Sequence, residues 1–184
     1  MSDPGNEPPR QPSQLPLAGR TILVTRARRQ AGALADRLRA LGAGVFEIPA
    51  IEIIPPDSLD PLDAALRDLS PYDWLIVTSV NGARALADRM AALGVGPAAF
   101  AHIKIAAVGS ATAQALRGIG LEITVTPREY VAESLVEALG EQVRGKRVLL
   151  ARAAVARDVI PDALRERGAV LDVVDAYKTV VPED

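Results

Sequence analysis

A chain of 184 residues, 49% of them hydrophobic and 24% charged, has the profile of a soluble globular protein with one or two domains. Its formal net charge of −2 provides no basic field to attract nucleic acid or an anionic membrane. With no Cys and one His, it excludes thiolate zinc sites, disulfides, a Cys nucleophile and a His-centred triad.

Residues 1–18 are polar and Pro-rich and read as a disordered tail without a signal peptide. No later segment approaches the roughly 20 apolar residues of a membrane helix, so a cytoplasmic location is expected. Thr21–Thr25 (TILVT) reads as a strand. Arg29–Leu41 reads as a helix, with Leu34, Leu38 and Leu41 at helical spacing and Gly42 ending the pattern. Val45–Ile48 is the next strand. Pro49, Pro55 and Pro56 then make Pro49–Ile54 an extended connector.

Ser58 opens a helix reaching Leu69, after which strands and helices alternate. Trp74–Val77 precedes Asn81–Leu93, Ile103–Val108 precedes Ala111–Ile119, and Glu122–Val125 precedes Val131–Leu139. Arg147–Leu150, a helix over Asp158–Arg167 and Val170–Ala176 complete five strands, and Tyr177 begins a second connector. This alternation specifies an α/β fold whose parallel sheet is covered on both faces. The expected division is a tail (1–18), the first part of a discontinuous domain 1 (19–49), a connector (50–54), a complete domain 2 (55–176) and a return connector (177–184).

An internal repeat organises the chain. Shifted by 126 residues, Gly19–Ile54 aligns without a gap to Gly145–Val180, setting GRTILVTRA over GKRVLLARA and LRALGAGV over LRERGAVL. Any two βαβ units share strand hydrophobics and a helix-ending glycine, but not an Arg just past each strand, here Arg26 and Arg152. A real duplication implies that the 90 residues of Pro55–Arg144 have a counterpart after Val180.

With the strands starting at Val170, Arg147, Trp74, Ile103 and Glu122 placed edge to edge, the strand order reverses between the Arg147 and Trp74 strands. Ligands bind beyond the carboxyl ends of strands at such a point. Arg152, then Thr78, Ser79, Val80 and Asn81, then Gly109, Ser110, Ala111 and Thr112 emerge there. Together they form an anion-accepting rim of hydroxyls and helix-end amides with no base or nucleophile. Helix capping by Thr78 and Ser79, a tight turn at Gly109 and solvated surface arginines are the alternative readings. His102 is expected to be a solvated loop imidazole. Gly94-Val95-Gly96 follows a helix instead of a strand and is no dinucleotide fingerprint.

ILVTRA with LGAGVFEIPAIEI, YDWLIVTSVNGARAL, IAAVGSATAQAL, KRVLLARA and VVDAYKTV, in this order, resemble the uroporphyrinogen-III synthase family over about Gly19–Val180. The resemblance implies two flavodoxin-like domains joined by a two-stranded connector, the first interrupted by the second and incomplete in this chain. It implies a carbon–oxygen lyase that needs no cofactor and binds no metal. Hydroxymethylbilane loses water, the electrophile is attacked at the substituted carbon of ring D, and a spiro intermediate rearranges to uroporphyrinogen III with that ring inverted.

By the same resemblance, Tyr177 in the return connector is the candidate for assisting departure of the hydroxyl, since a phenol with an ordinary pKa of ~10 is protonated at neutral pH; a half-buried hinge tyrosine is the alternative reading. Thr25, Arg26, Thr78, Ser79, Ser110 and Thr112 would meet substrate carboxylates. Asn81 and Gly109 belong to the same strand ends, and Arg152 and Arg157 extend the set. A monomer whose only partner is the small-molecule substrate is expected, with no nucleic acid or membrane. The alternative is a non-catalytic module that binds an anionic small molecule. Domain 1's own strand-end Thr/Ser segment is absent from these residues, so activity of the 184-residue chain alone is the open point.

Overall fold

Strand-forming runs of three to eleven residues alternate with helices, and that alternation dictates where each strand can pair. The computed structural model describes residues 15–127, 129 and 132–182. Most of the expected tail, and Val131 at the expected start of a helix, lie outside them. The chain divides into two compact units, one holding the residues up to Glu52 together with Val180 onward, the other Ile53–Thr179.

In the first unit, β1 (Thr21–Val24) and β2 (Gly44–Glu47) pair in parallel across helix α1 (Arg28–Ala40), with Thr21 opposite Gly44. Part of the expected tail is structured: Leu15–Gly19 form a turn, and the Leu17 amide donates to Leu41 O at 2.9 Å. The buried stripe of α1 differs from the leucine pattern. Ala31 and Ala35, one turn apart, are sealed, while Leu34 and Leu41 are each about two-fifths exposed. Alanines at that spacing allow the helix to approach the two strands closely.

The second unit carries a five-stranded sheet. Its elements are β3 (Glu52–Ile54), α2 (Asp60–Arg67), β4 (Trp74–Val77), α3 (Val80–Leu93), β5 (Lys104–Ala107), α4 (Ser110–Gly118), α5 (Ala132–Leu139), β6 (Arg147–Ala153), α6 (Val159–Glu166) and β7 (Val170–Val180). The strand order is β3-β7-β6-β4-β5, and β4 pairs in parallel with both β5 and β6, as does β6 with β7. Leu62, Leu86 and Leu116 of α2, α3 and α4 pack on one face with Leu75, Ile105 and Leu149. Leu135, Leu139 and Leu164 of α5 and α6 cover the other with Trp74, Ile76, Val148 and Leu150. The chain passes between the two units within β3 and again within β7.

Two expected elements change. Glu122–Val125 contracts to a single parallel bridge between Ala106 and Val125, and the place of a fifth strand is taken at the opposite edge by β3. The Thr124 hydroxyl accepts from the Ile105 amide at 3.2 Å, a group that a ladder would give to a backbone carbonyl. At the other end, β7 does not stop at Ala176 but runs through Tyr177 to Val180.

The repeat is visible in detail. Gly44 N donates to Arg20 O at 2.8 Å and Val170 N to Lys146 O at 2.9 Å; Ala43 N donates to Leu38 O and Ala169 N to Leu164 O, both at 3.1 Å. Even a surface ion pair recurs, Asp36 with Arg39 and Asp162 with Arg165, each at 3.2 Å. Each pair of partners is offset by the 126 residues of the alignment.

One buried ion pair ties α2 to α3. Asp63, 7% exposed, receives Arg89 Nε and Nη2 on its two oxygens at 2.7 and 2.6 Å. The Arg89 hydrogen bonds hold its carboxyl below the ordinary value of 3.8, against the opposing effect of burial. A carboxylate more acidic in the fold than in the unfolded chain contributes stability above its unfolded pKa. That contribution is lost as pH falls through the folded one. Below about pH 4 the parent's urea midpoint should therefore fall more steeply with pH than that of Asp63→Asn. Parallel pH profiles would show that the pair adds nothing.

Candidate functional site

Because β4, β5, β6 and β7 run parallel, their carboxyl ends open along one edge of the sheet. From β4 the chain moves to β5 on one side, and from β6 to β7 on the other, which puts the switch point between β6 and β4. Of the strand-end residues singled out in the sequence of this unit, Thr78 and Ser110 follow strands that end at this edge, while β6 runs past the expected Leu150 to Ala153 and carries Arg152 as its last residue but one.

Beyond β4, Thr78 and Ser79 are half-buried. Ser79 is extended (φ −153°, ψ 161°) and caps α3, its Oγ accepting the Gly82 amide at 3.0 Å. A Cβ on residue 82 would lie 3.3 Å from Val77 Cγ1 and 3.4 Å from Ser79 Oγ, so glycine gives this cap room to close. The capping alternative for Ser79 is thus realised. The same oxygen, however, lies 3.0 Å from Tyr177 Oη. Asn81 is half-buried in the first turn of α3.

Beyond β5, Gly109 adopts φ 90° and ψ 151°, a region open essentially to glycine alone, and turns the chain into α4. Ser110 opens that helix and is exposed. Thr112 is only 3% exposed and lies on the same inward face as Ala113 and Leu116. It is thus shielded, whereas the rim it was expected to join is on the solvent side.

Tyr177 owes its direction to a slip in register. Arg152 of β6 faces Asp175 of β7, but Ala153 faces Tyr177, so Ala176 is an extra residue on β7. Side chains of a strand alternate between faces, and one extra residue shifts that alternation. Val174, Ala176 and Tyr177 consequently all pack against the core beneath α2, α3 and α4, which brings the phenol to Ser79. The Ala154 amide donates to Tyr177 O at 2.8 Å and fixes the backbone there.

Arg152 stands on the other side of the switch point. Its Nη1 is 2.8 Å from an Asp158 carboxylate oxygen and 3.4 Å from Arg157 O. Its Nε is the one shielded side-chain polar atom among the described residues with no hydrogen-bond partner. With Thr78, Arg157, Ile160 and Glu133 it lines a pocket of about 150 Å³. Glu133 and Asp158 escaped the sequence reading. Each looks like an ordinary charged helix-start residue until the fold brings it to the arginine.

Thr25 and Arg26 belong to the first unit, so they are described apart from this edge. Thr25 O accepts from the Ala50 amide at 3.1 Å, and Arg26 Nη2 donates to Gln30 Oε1 at 3.3 Å. His102 is exposed, as expected, with Nε2 3.1 Å from Leu69 O. Among the described residues no cluster of His, Cys, Asp or Glu could hold a metal ion, and no helix is long and apolar enough to cross a membrane.

A larger groove of about 500 Å³ lies between α2 and the Leu171–Val174 stretch of β7, away from the strand tips. Its polar groups are already engaged. Tyr72 donates to Asp172 at 2.8 Å, and Arg147 donates to the same oxygen from Nε and Nη2. Burial, reinforced by Asp172, pushes the Tyr72 phenol up to about 12. The 150 Å³ pocket, with an unsatisfied N–H at the switch point, has the better chemistry for a ligand.

A family model described as Uroporphyrinogen-III synthase HemD matches residues 32–184. The chain belongs to the uroporphyrinogen-III synthase family. The uroporphyrinogen-III synthase of Synechococcus elongatus is 41% identical to it over 173 residues, 92% of this chain and 64% of that protein. Porphyrin biosynthesis protein HemD of Ruminiclostridium josui is 36% identical over 165 residues, 89% of this chain and 33% of that protein. The chain therefore spans less than two thirds of the length of either relative. Among solved structures, a mutant uroporphyrinogen III synthase from the extreme thermophile Thermus thermophilus has a TM-score of 0.66 at 20% identity, covering 89% of this chain and 64% of its own. At that identity the likeness speaks for the fold alone. Uroporphyrinogen-III synthase membership and the α/β architecture thus agree with the reading of the sequence motifs.

The turn at Gly109 offers a direct check on the rim. Gly109→Ala forces a Cβ into a disfavoured backbone region and should cost about 1–3 kcal/mol in urea unfolding. A smaller loss would mean that the turn relaxes without strain.

Proposed function

We propose that the protein is a uroporphyrinogen-III synthase, cyclising hydroxymethylbilane to uroporphyrinogen III with loss of water and inversion of ring D. The observation that carries this reading is the Arg152 pocket at the switch point. A guanidinium N–H there is shielded and unpaired, beside a strand-end threonine. Leaving such a donor unmatched is costly, and a carboxylate oxygen of the substrate would satisfy it. The substrate carries eight carboxylates, so a site made of arginines, hydroxyls and helix-end amides suits it without any nucleophile.

In this reading Arg152, Arg157 and Thr78 take one carboxylate group of the folded bilane. Ser110, Asn81 and the Gly109 turn take another at the start of α3 and α4, where helix N-termini favour anions. For Thr25 and Arg26, in the first unit, a carboxylate contact is proposed separately. Tyr177 gives its proton to the departing hydroxyl. Selectivity comes from holding the chain folded, because the free substrate closes on its own to the unflipped isomer. We further propose a cytoplasmic monomer that needs no cofactor and engages neither nucleic acid nor membrane.

Hydroxymethylbilane supplied to the protein should give the type III isomer in excess over the spontaneous product. Binding without isomer control would instead favour a non-catalytic anion-binding module. Arg152→Ala should raise KM by roughly 10- to 100-fold, the loss of one charge-assisted hydrogen bond. Tyr177→Phe should lower kcat about a hundredfold while leaving the thermal midpoint in place. Unchanged kinetics in either variant would remove that residue from the site.

A further inference from the structure

Ser79 faces two groups, and their chemistry limits what its hydroxyl can do. A serine oxygen has one proton to donate and two lone pairs to accept with. One lone pair takes the Gly82 amide at 3.0 Å. Tyr177 Oη lies 3.0 Å away, and by distance alone either hydroxyl could be the donor.

The surrounding field decides the direction. Ser79 caps a helix of 14 residues, whose amino end carries partial positive charge. An oxygen held there accepts from the amides, and its own proton is driven away from the helix. The partner on that side is Tyr177 Oη. We infer that Ser79 is a positioning residue, which donates to Tyr177 Oη and so leaves the phenol proton directed at the substrate.

The inference rests on the role of Tyr177 given above and corrects that of Ser79. With one lone pair on Gly82 and its proton on the phenol, Ser79 has little left for a substrate carboxylate. The result is a polarised chain from the Gly82 N–H through the Ser79 O–H to the Tyr177 O–H. The phenol proton passes to the leaving hydroxyl oxygen, which takes the C–O bonding pair and departs as water. The O–H pair stays on Tyr177 Oη, where the hydrogen bond from Ser79 stabilises it. The pyrrole cation left behind gives up its N–H proton, and through solvent this restores the phenol. No oxidant, reductant or added base is needed. The register slip at Ala176 is the second half of the device, because it places the phenol on the layer of the sheet where α3 begins.

The test compares Ser79→Ala, Ser79→Thr, Ser79→Asp, Tyr177→Phe and the Ser79→Ala/Tyr177→Phe pair in the protein, with hydroxymethylbilane as substrate. Ser79→Ala should lower kcat on the order of tenfold with KM nearly unchanged. Ser79→Thr, which keeps a hydroxyl, should recover most of the rate. The double variant should be no slower than Tyr177→Phe alone, since one group acts through the other.

Ser79→Asp guards against a folding artefact. It keeps an acceptor for the Gly82 amide but captures the tyrosine proton, so it should melt like the parent and turn over as slowly as Ser79→Ala. A full rate in Ser79→Ala or Ser79→Asp beside a slow Tyr177→Phe would overturn this inference alone. So would a raised KM with kcat kept in Ser79→Ala, or losses that multiply in the double variant. A Tyr177→Phe variant as fast as the parent would bring down the role of the tyrosine and this inference with it.

Discussion

Everything at the candidate site depends on β4, a strand of four residues buried along its whole length and paired in parallel on both sides. Parallel pairing with β5 and β6 forces three carboxyl ends to the same edge, and β7 follows through β6. Once Trp74–Val77 is buried between two helical layers, no freedom remains about where Thr78 and Ser79 emerge. Their position is a by-product of packing hydrophobic side chains.

That edge is built for holding, not for attack. The hydroxyls of Thr78, Ser79 and Tyr177 are half-buried, the guanidinium is braced by Asp158 and the Arg157 carbonyl, and the serine that meets the phenol is held by the Gly82 amide it accepts from. Groups so constrained lose little entropy when a flexible polyanion docks on them. The proposed cyclisation, whose outcome depends on which end of a ring approaches first, would gain more from such rigidity than from a reactive side chain.

Much of this was legible in the residues. Apolar runs of strand length separated by helical periods specified the parallel sheet, and the 126-residue offset read in the sequence is matched in the fold by equivalent hydrogen bonds at Gly44 and Val170. What escaped was decided by tertiary contact. Glu122–Val125 has strand composition, yet the Thr124 hydroxyl takes a ladder donor and leaves one bridge. Thr112 reads as a rim hydroxyl in a VGSAT segment, but the phase of α4 turns it inward. The Ser79–Tyr177 bond joins residues 98 apart and has no local signature. Nor does hydrophobic alternation reveal that Ala176 is supernumerary, because a buried alanine suits either register.

The supernumerary alanine makes the phenol's layer a matter of parity. Tyr177 is three residues past Val174, an odd step that in a strictly alternating strand would send the ring to the side of α5 and α6, and the slip at Ala176 alone keeps it with its serine. Adding or removing one residue makes the step even, so the ring holds its layer without the slip, whereas a change of two leaves the step odd and still dependent on it. Indels in this stretch are therefore sorted by odd and even count before side-chain identity matters, a constraint that the loops elsewhere in the fold do not carry.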